Sequence, residues 1–188
     1  MQLNSLLDEA YTKSRETLDD GKFETEEERR EAADRIAIAS IKFGDLINNR
    51  AKDYIFDIDR FLSCEGKTGA YLLYTITRIT SLLKKVEGEI PTVCDVNCEI
   101  TSSERELLLN LLDSAEYFAS AVTERAPNYV AESAYKIATA FSVFYHDNRV
   151  LGEENATIRA NRIALCNITK ARLTALTDLL GITTVDAM

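Results

Sequence analysis

Tryptophan is absent from these 188 residues, histidine occurs once, proline twice and glycine seven times. So few helix breakers leave long stretches free to propagate helices and disfavour a turn-rich β fold. The single histidine, His146, narrows the chemistry. A Ser-His-Asp or Cys-His centre would have to be built around that one ring, and no motif supports it. Paired Glu-x-x-His ligands, the mark of di-metal helical bundles, are excluded as well. No apolar run approaches the roughly 20 residues of a membrane span. The opening MQLNSLLDEA has neither a basic nor an apolar leader region. The expected compartment is the cytoplasm, where Cys64, Cys94, Cys98 and Cys166 stay reduced.

Basic charge is short too: 22 Lys and Arg face 31 Asp and Glu, a net charge of -9. A general nucleic-acid binder needs a basic surface to neutralise phosphates, so no DNA partner is expected. The charge is unevenly spread. Residues 1–34 hold 5 basic and 11 acidic side chains, whereas residues 125–188 hold 7 and 6. An anionic partner is therefore expected at the C-terminal third.

What is present is helical periodicity, with 46% hydrophobic residues to bury. Apolar residues recur at helical spacing and no period-2 alternation is sustained, so the expected class is all-α. A first helix is predicted over 5–18, and an acidic turn over 19–28 leads into a second helix reaching about Phe56. A loop over 62–68 precedes a third helix over 70–86, striped by Tyr71, Tyr74, Ile76, Ile79, Leu82 and Leu83. The segment 88–101, with Pro91 and no helical period, is the expected main connection. Ser103 and Glu106 have capping-box spacing, predicting a helix to about Glu124. Pro127 suits the first turn of the next helix, which runs to about Tyr145. A last helix spans about 155–180, Gly181 closes it in the left-handed conformation, and the tail ITTVDAM turns back.

Several motifs come close to a chemistry and fail. Gly66-Lys67-Thr68 resembles the end of a phosphate loop, but the required earlier glycine position is Phe61, so Thr68 is read as a helix cap. Cys94 and Cys98 have the spacing of half a zinc site, the other half is missing, and no metal is expected. The run Glu24 to Glu28 reads as a solvated helix start favoured by the macrodipole. Asn155-Ala156-Thr157 and Asn167-Ile168-Thr169 are sequons relevant only to a secreted chain. His146 is expected to cap carbonyls or meet solvent. Phe141 and Phe144 fit an inward face, whereas Tyr145 falls at the helix exit beside Arg149. There it is either a core-rim residue or a ring for stacking on an unpaired base.

An ordered series of motifs then resembles a known family. Phe141-Ser-Val-Phe-Tyr145 with Arg149-Val150-Leu151, Arg162-Ile163-Ala164-Leu165-Cys166, and Leu179-Leu180-Gly181-Ile182 ending at Met188 resemble the C-terminus of arginyl-tRNA synthetases. A second block is similar to the region that precedes it: Ile41-Lys42-Phe43-Gly44-Asp45-Leu46, Phe56-Asp57-Ile58-Asp59-Arg60, and Glu65-Gly66-Lys67-Thr68-Gly69-Ala70-Tyr71-Leu72-Leu73-Tyr74 with Arg78 and Ser81-Leu82. Leu3 to Ala10 resembles the stretch after the family's second ATP-binding sequence. The chain departs from the pattern at Leu73, usually Gln, and at Asn161, usually Ala.

The resemblance implies an all-α helical bundle of the class I synthetase anticodon-binding (DALR) type. Its partner would be arginine-accepting tRNA, and its other partner the catalytic domain of the same parent chain. The HIGH-type and KMSK-type sequences are absent, so the resemblance implies no catalytic residue or cofactor in these residues. ATP and Mg would serve a parent arginine-tRNA ligase. Residues 1–34 would be a connecting helix and acidic linker after that domain. Residues 35–188 would be the anticodon-binding domain, divided by the loop at 88–101. Carried over by position, Tyr145 and Met188 would form the anticodon pocket. Arg149, Arg159, Arg162 and Lys170 are candidate phosphate contacts by charge and position. Arg162 has a second reading, a buried side chain paired with an acid. The rival to RNA binding is an acidic helical module that binds protein.

Overall fold

Side-chain caps set where most helices begin. Helix α1 spans Leu3–Thr17 and is followed by a 3-10 turn, Asp20–Lys22, capped by Asp19. Thr25 and Glu28 form a reciprocal capping box in which each side chain accepts the other's backbone amide, starting α2 (Glu26–Leu46) in the middle of the acidic run. Asp57 caps a short α3, Ile58–Leu62, and Thr68 caps α4, Gly69–Leu83. Helix α5 spans Ser102–Glu124, α6 Asn128–Asp147 behind Pro127, and α7 Ala156–Leu179 behind Asn155. This computed structural model describes residues 3–95 and 97–188, so Met1, Gln2 and Val96 of the expected regions lie outside it. Among the described residues there is no strand, and the all-α class holds.

Three boundaries differ from the sequence expectation. Helix α2 stops at Leu46 and does not reach Phe56, because Asn48 donates its side-chain amide to the Gly44 carbonyl and Asn49 accepts from the Ala51 amide. Such local bonds compete with helix propagation. The apolar residues beyond have no face to bury: Ile55 is 88% exposed. Helix α3 lies where no separate helix is expected. It forms because Phe61 is buried against Gly44, where an added Cβ would lie 2.3 Å from the ring. The capping box of α5 is Thr101 with Glu104, two residues earlier than Ser103 with Glu106. Ser103 is buried instead and accepts from Asn148.

Helix α4 is the centre of the bundle, touching α2, α3, α6 and α7, while α5 packs mainly on α6 and α1 mainly on α2. Its buried stripe of Leu72, Leu73, Ile76 and Ile79 joins Ile36 and Phe43 of α2, Ile137, Phe141 and Phe144 of α6, and Leu173 of α7 in one core. Leu73 is fully buried, so the position where the family usually shows Gln is here part of that core. Gly181 adopts φ +66 and closes α7, as expected. The tail then returns across α2 and α4. Lys42 donates to the Gly181 carbonyl, Arg35 to Thr184 at 2.8 Å, Thr77 to Val185 at 3.3 Å, and Lys22 to Met188. Ile182 and Val185 are buried along this path.

Candidate nucleic-acid interface

The helical register of α6 turns Phe141 and Phe144 into the core and leaves Tyr145 at its edge, half-buried. The Phe141 and Tyr145 rings stack with centroids 5.8 Å apart and planes inclined by 26°. From α4, the Arg78 guanidinium lies over the Tyr145 ring, 4.4 Å from its centroid, in cation–π contact. Tyr145 is thus both a rim residue of the core and the floor of an open cavity. That cavity is about 640 Å³ and is lined by Arg78 and Ser81 of α4 and Lys85 of the turn that follows it, together with Tyr145, His146 and residues 147–152. Three cations, Arg78, Lys85 and Arg149, face one carboxylate, Asp147, so the cavity is locally basic on an acidic chain.

The candidate residues do not all gather here. Arg149 is exposed on the cavity wall. Met188 is not among the lining residues. It packs against the core from the returning tail, and its backbone oxygen accepts from Lys22. The turn after α4 lies between the tail and Tyr145: Lys84 lines one cavity with Val185, Asp186 and Ala187, and Lys85 lines the other with Tyr145. Lys170 lines a different groove, between α7 and the tail, with Thr174, Asp178 and Thr184. Arg159 donates to the Glu153 carbonyl at 2.6 Å, tying the start of α7 to the preceding turn.

Arg162, a candidate phosphate contact by charge, lies inward. It is 8% exposed, with Nε donating to Glu104 at 2.7 Å and Nη1 donating to Glu153 at 2.7 Å and to the Arg149 carbonyl at 3.0 Å. With Nε and Nη1 spent on protein acceptors, its geometry is that of the second reading, a buried side chain paired with acids. Glu153 is held below the ordinary carboxylate range, first by the Asn155 amide that donates to it and further by Arg162. Arg78 is the residue that charge and spacing did not single out. It appeared only inside a motif block, and nothing local to it signals that α4 places it over a ring 67 residues away.

His146 is exposed and lines the cavity, and the free thiols include Cys94 and Cys98, which belong to no metal-holding cluster among the described residues. Burial pushes the Cys166 thiol up to about 12. Among the described residues, no helix is long and apolar enough to cross a membrane.

Residues 72–188, which hold every element of this cavity, match the DALR anticodon binding domain family. The chain belongs to that family. Residues 1–58 match the class I (R) tRNA synthetase catalytic domain, so the DALR region is joined to a piece of a second matched domain, with α2 running unbroken within that piece. The arginine–tRNA ligase of Agathobacter rectalis is 42% identical over 167 residues, covering 87% of this DALR chain and 28% of the relative. That of Frankia casuarinae is 38% identical and covers all of this chain and 32% of the relative. Among solved structures, Thermus thermophilus arginyl-tRNA synthetase superposes with a TM-score of 0.88 at 28% identity, over 100% of this chain and 32% of that one. The DALR chain therefore spans about a third or less of the length of these relatives.

Proposed function

We propose that this chain holds the anticodon loop of an arginine-accepting tRNA, as part of a cytoplasmic arginine-tRNA ligase. In this reading the remainder of a catalytic domain, of which residues 1–58 match a part, attaches arginine from elsewhere in the parent chain, and residues 1–34 are the connecting helix and acidic segment on the way to it. ATP and Mg belong to that domain, since the HIGH-type and KMSK-type sequences lie outside these residues.

The observation that carries the reading is the Arg78–Tyr145–Phe141 column at the wall of a basic cavity on an otherwise acidic protein. Unpaired bases are gripped by stacking on rings or guanidinium planes, and phosphates are met by flanking cations. Arg78 already covers Tyr145, so a base entering the cavity meets the guanidinium plane, backed by the Tyr ring. Arg149 and Lys85 stand where the loop's phosphates would pass. Met188, at the end of the tail whose residues 185–187 lie beside Lys84, borders the site in this reading. Arg159 and Lys170 lie further along α7 and would touch only more distant phosphates.

The test is binding to arginine tRNA and to the same tRNA with its central anticodon base changed. Preference for the unchanged tRNA, with affinity falling steeply as salt rises, is expected. Equal affinity for both sinks the specific reading. A partner that is protein, the rival reading of the acidic surface, would show no such dependence on the anticodon. Tyr145→Ala, which removes the ring that holds the Arg78 guanidinium in place for the base, is expected to weaken binding by about 1–3 kcal/mol, the weight of one stacked base, with helical content unchanged.

A further inference from the structure

The turn between α6 and α7 carries Arg149 to the cavity wall, and it is held from below by a polar network that the proposed contacts do not use. At its first residue, Asn148 donates to Ser103 Oγ at 2.9 Å and to the Phe144 carbonyl at 2.8 Å, and accepts from Thr101 Oγ1 at 3.2 Å. At its second, the Arg149 carbonyl accepts from Arg162. Glu104 binds that same guanidinium through one carboxylate oxygen and accepts the Thr101 amide through the other, at 2.6 Å. Near the far end, Glu153 accepts from Arg162 and from the Asn155 amide at 3.0 Å, and its carbonyl accepts from Arg159. The first turn of α5 therefore grips the start of this turn, and Arg162 reaches both its second residue and Glu153.

Stability alone is a poor reason for such an arrangement. Two charges taken out of water lose hydration that their attraction only partly restores, and well-packed apolar residues of similar volume often serve as well or better. The side chains of Arg162 and Glu104 are only 10% and 5% exposed, so that cost applies here. What an apolar substitute cannot do is fix the direction of a backbone carbonyl. A bond to the Arg149 carbonyl fixes the peptide from which the Arg149 side chain leaves. We infer that Glu104, Glu153 and Arg162 are positioning residues of the tRNA site. They hold the 148–155 turn so that Arg149 stands beside Tyr145 with its guanidinium preset for a phosphate. This inference rests on the anticodon-loop reading above. It assigns these residues no contact with RNA.

The test uses the 188-residue chain carrying Glu104→Gln, Glu153→Gln, Arg149→Ala or the Arg149→Ala/Glu153→Gln pair. Affinity for arginine tRNA is measured from about 50 to 300 mM salt, with amide exchange of residues 148–155 and thermal unfolding measured without RNA. Each Gln variant is expected to lose affinity about tenfold at low salt, the weight of one charge-assisted contact. Each should also flatten the log–log salt slope by about 0.7–0.9, the amount for one phosphate contact, as Arg149→Ala does. The paired variant should bind no more weakly than Arg149→Ala alone, and the turn amides should exchange faster in both Gln variants.

A merely structural role would shift unfolding, leave the salt slope of the folded protein at its wild-type value, and add to Arg149→Ala. Either a wild-type slope or additivity overturns the inference. Should Glu104→Gln fail to fold, Glu153→Gln, at the more exposed end of the network, decides the matter. If Arg149→Ala and Tyr145→Ala both leave tRNA affinity unchanged, the anticodon-loop reading itself has failed. The exchange measurement then still judges the network, since unchanged protection of the turn in both Gln variants overturns it.

Discussion

Replacing Gly69 by alanine probes the contact on which the bundle's geometry depends. In most helices this exchange is neutral to stabilising, since alanine exceeds glycine in helix propensity by about 1 kcal/mol in an interior and by less in a first turn. Here a Cβ on residue 69 would lie 2.2 Å from the carbonyl oxygen of Ala39, 2.5 Å from its carbon and 2.9 Å from the amide nitrogen of Ser40. All three are backbone atoms of α2, so no side chain can rotate away. To restore an ordinary 3.4 Å contact, α4 must retreat from α2 by about 1.2 Å, the difference between 3.4 and 2.2. That movement loosens the packing of Leu72, Leu73 and Ile76 on Ile36 and Phe43, side chains 0–2% exposed. Overpacking of this kind costs about 1–3 kcal/mol, outweighing the propensity gain. For a chain of this size the melting temperature should fall by roughly 3–10 °C. Thermal unfolding followed by circular dichroism provides the measurement. Gly152→Ala, where a Cβ would meet nothing within 4 Å, serves as the control and should be neutral or slightly stabilising. A Gly69→Ala protein that melts at or above the wild-type temperature would refute the close-approach argument.

Other consequences follow from the core, the caps and the thiols. Phe144→Ala removes a fully buried ring and should cost about 3–5 kcal/mol in denaturant titration. Thr101→Ala should cost about 1 kcal/mol by losing the cap of α5, whereas Ser102→Ala, one residue on, should cost much less. Cys166, buried and with its thiol pushed up to about 12, should resist alkylation at pH 8 until the protein is unfolded, while the exposed Cys64 reacts first; mass mapping of the labelled thiols tests the order. Glu153 has its pKa lowered in the fold, so its contribution is present above the unfolded carboxylate value of about 4.3 and is lost as pH falls through the folded value. The melting difference between wild type and Glu153→Gln should therefore shrink in buffers below that window, and a difference that persists unchanged to pH 3 contradicts the assignment.

Much of the architecture was legible because helical structure is local. Periodic apolar stripes over Ala70 to Val86 and Ser103 to Glu124, the cap at Thr68, the acidic start of α2 and the left-handed Gly181 each express a preference settled within a few residues. The errors mark where local rules tie. Thr101–Glu104 and Ser103–Glu106 both satisfy the capping-box spacing, and only the burial of Ser103 against Asn148 separates them. The helical pattern past Leu46 is plausible on composition, yet it yields because nothing packs on Ile55.

The site divides in the same way. The ordered C-terminal motifs named Tyr145 and Met188, and charge and position added Arg149, Arg159, Arg162 and Lys170. Charge alone does not say where a cation points. Arg162 turned inward to Glu104, Lys170 fell on another groove, and Arg78 arrived over Tyr145 from a different helix. From sequence alone come the helical class, the single histidine and the family resemblance, since composition, period and motif order are properties of the chain itself. Tertiary structure decided which cations remain open to an anionic partner, because that depends on carboxylates and rings brought together from residues 58 and 67 positions apart.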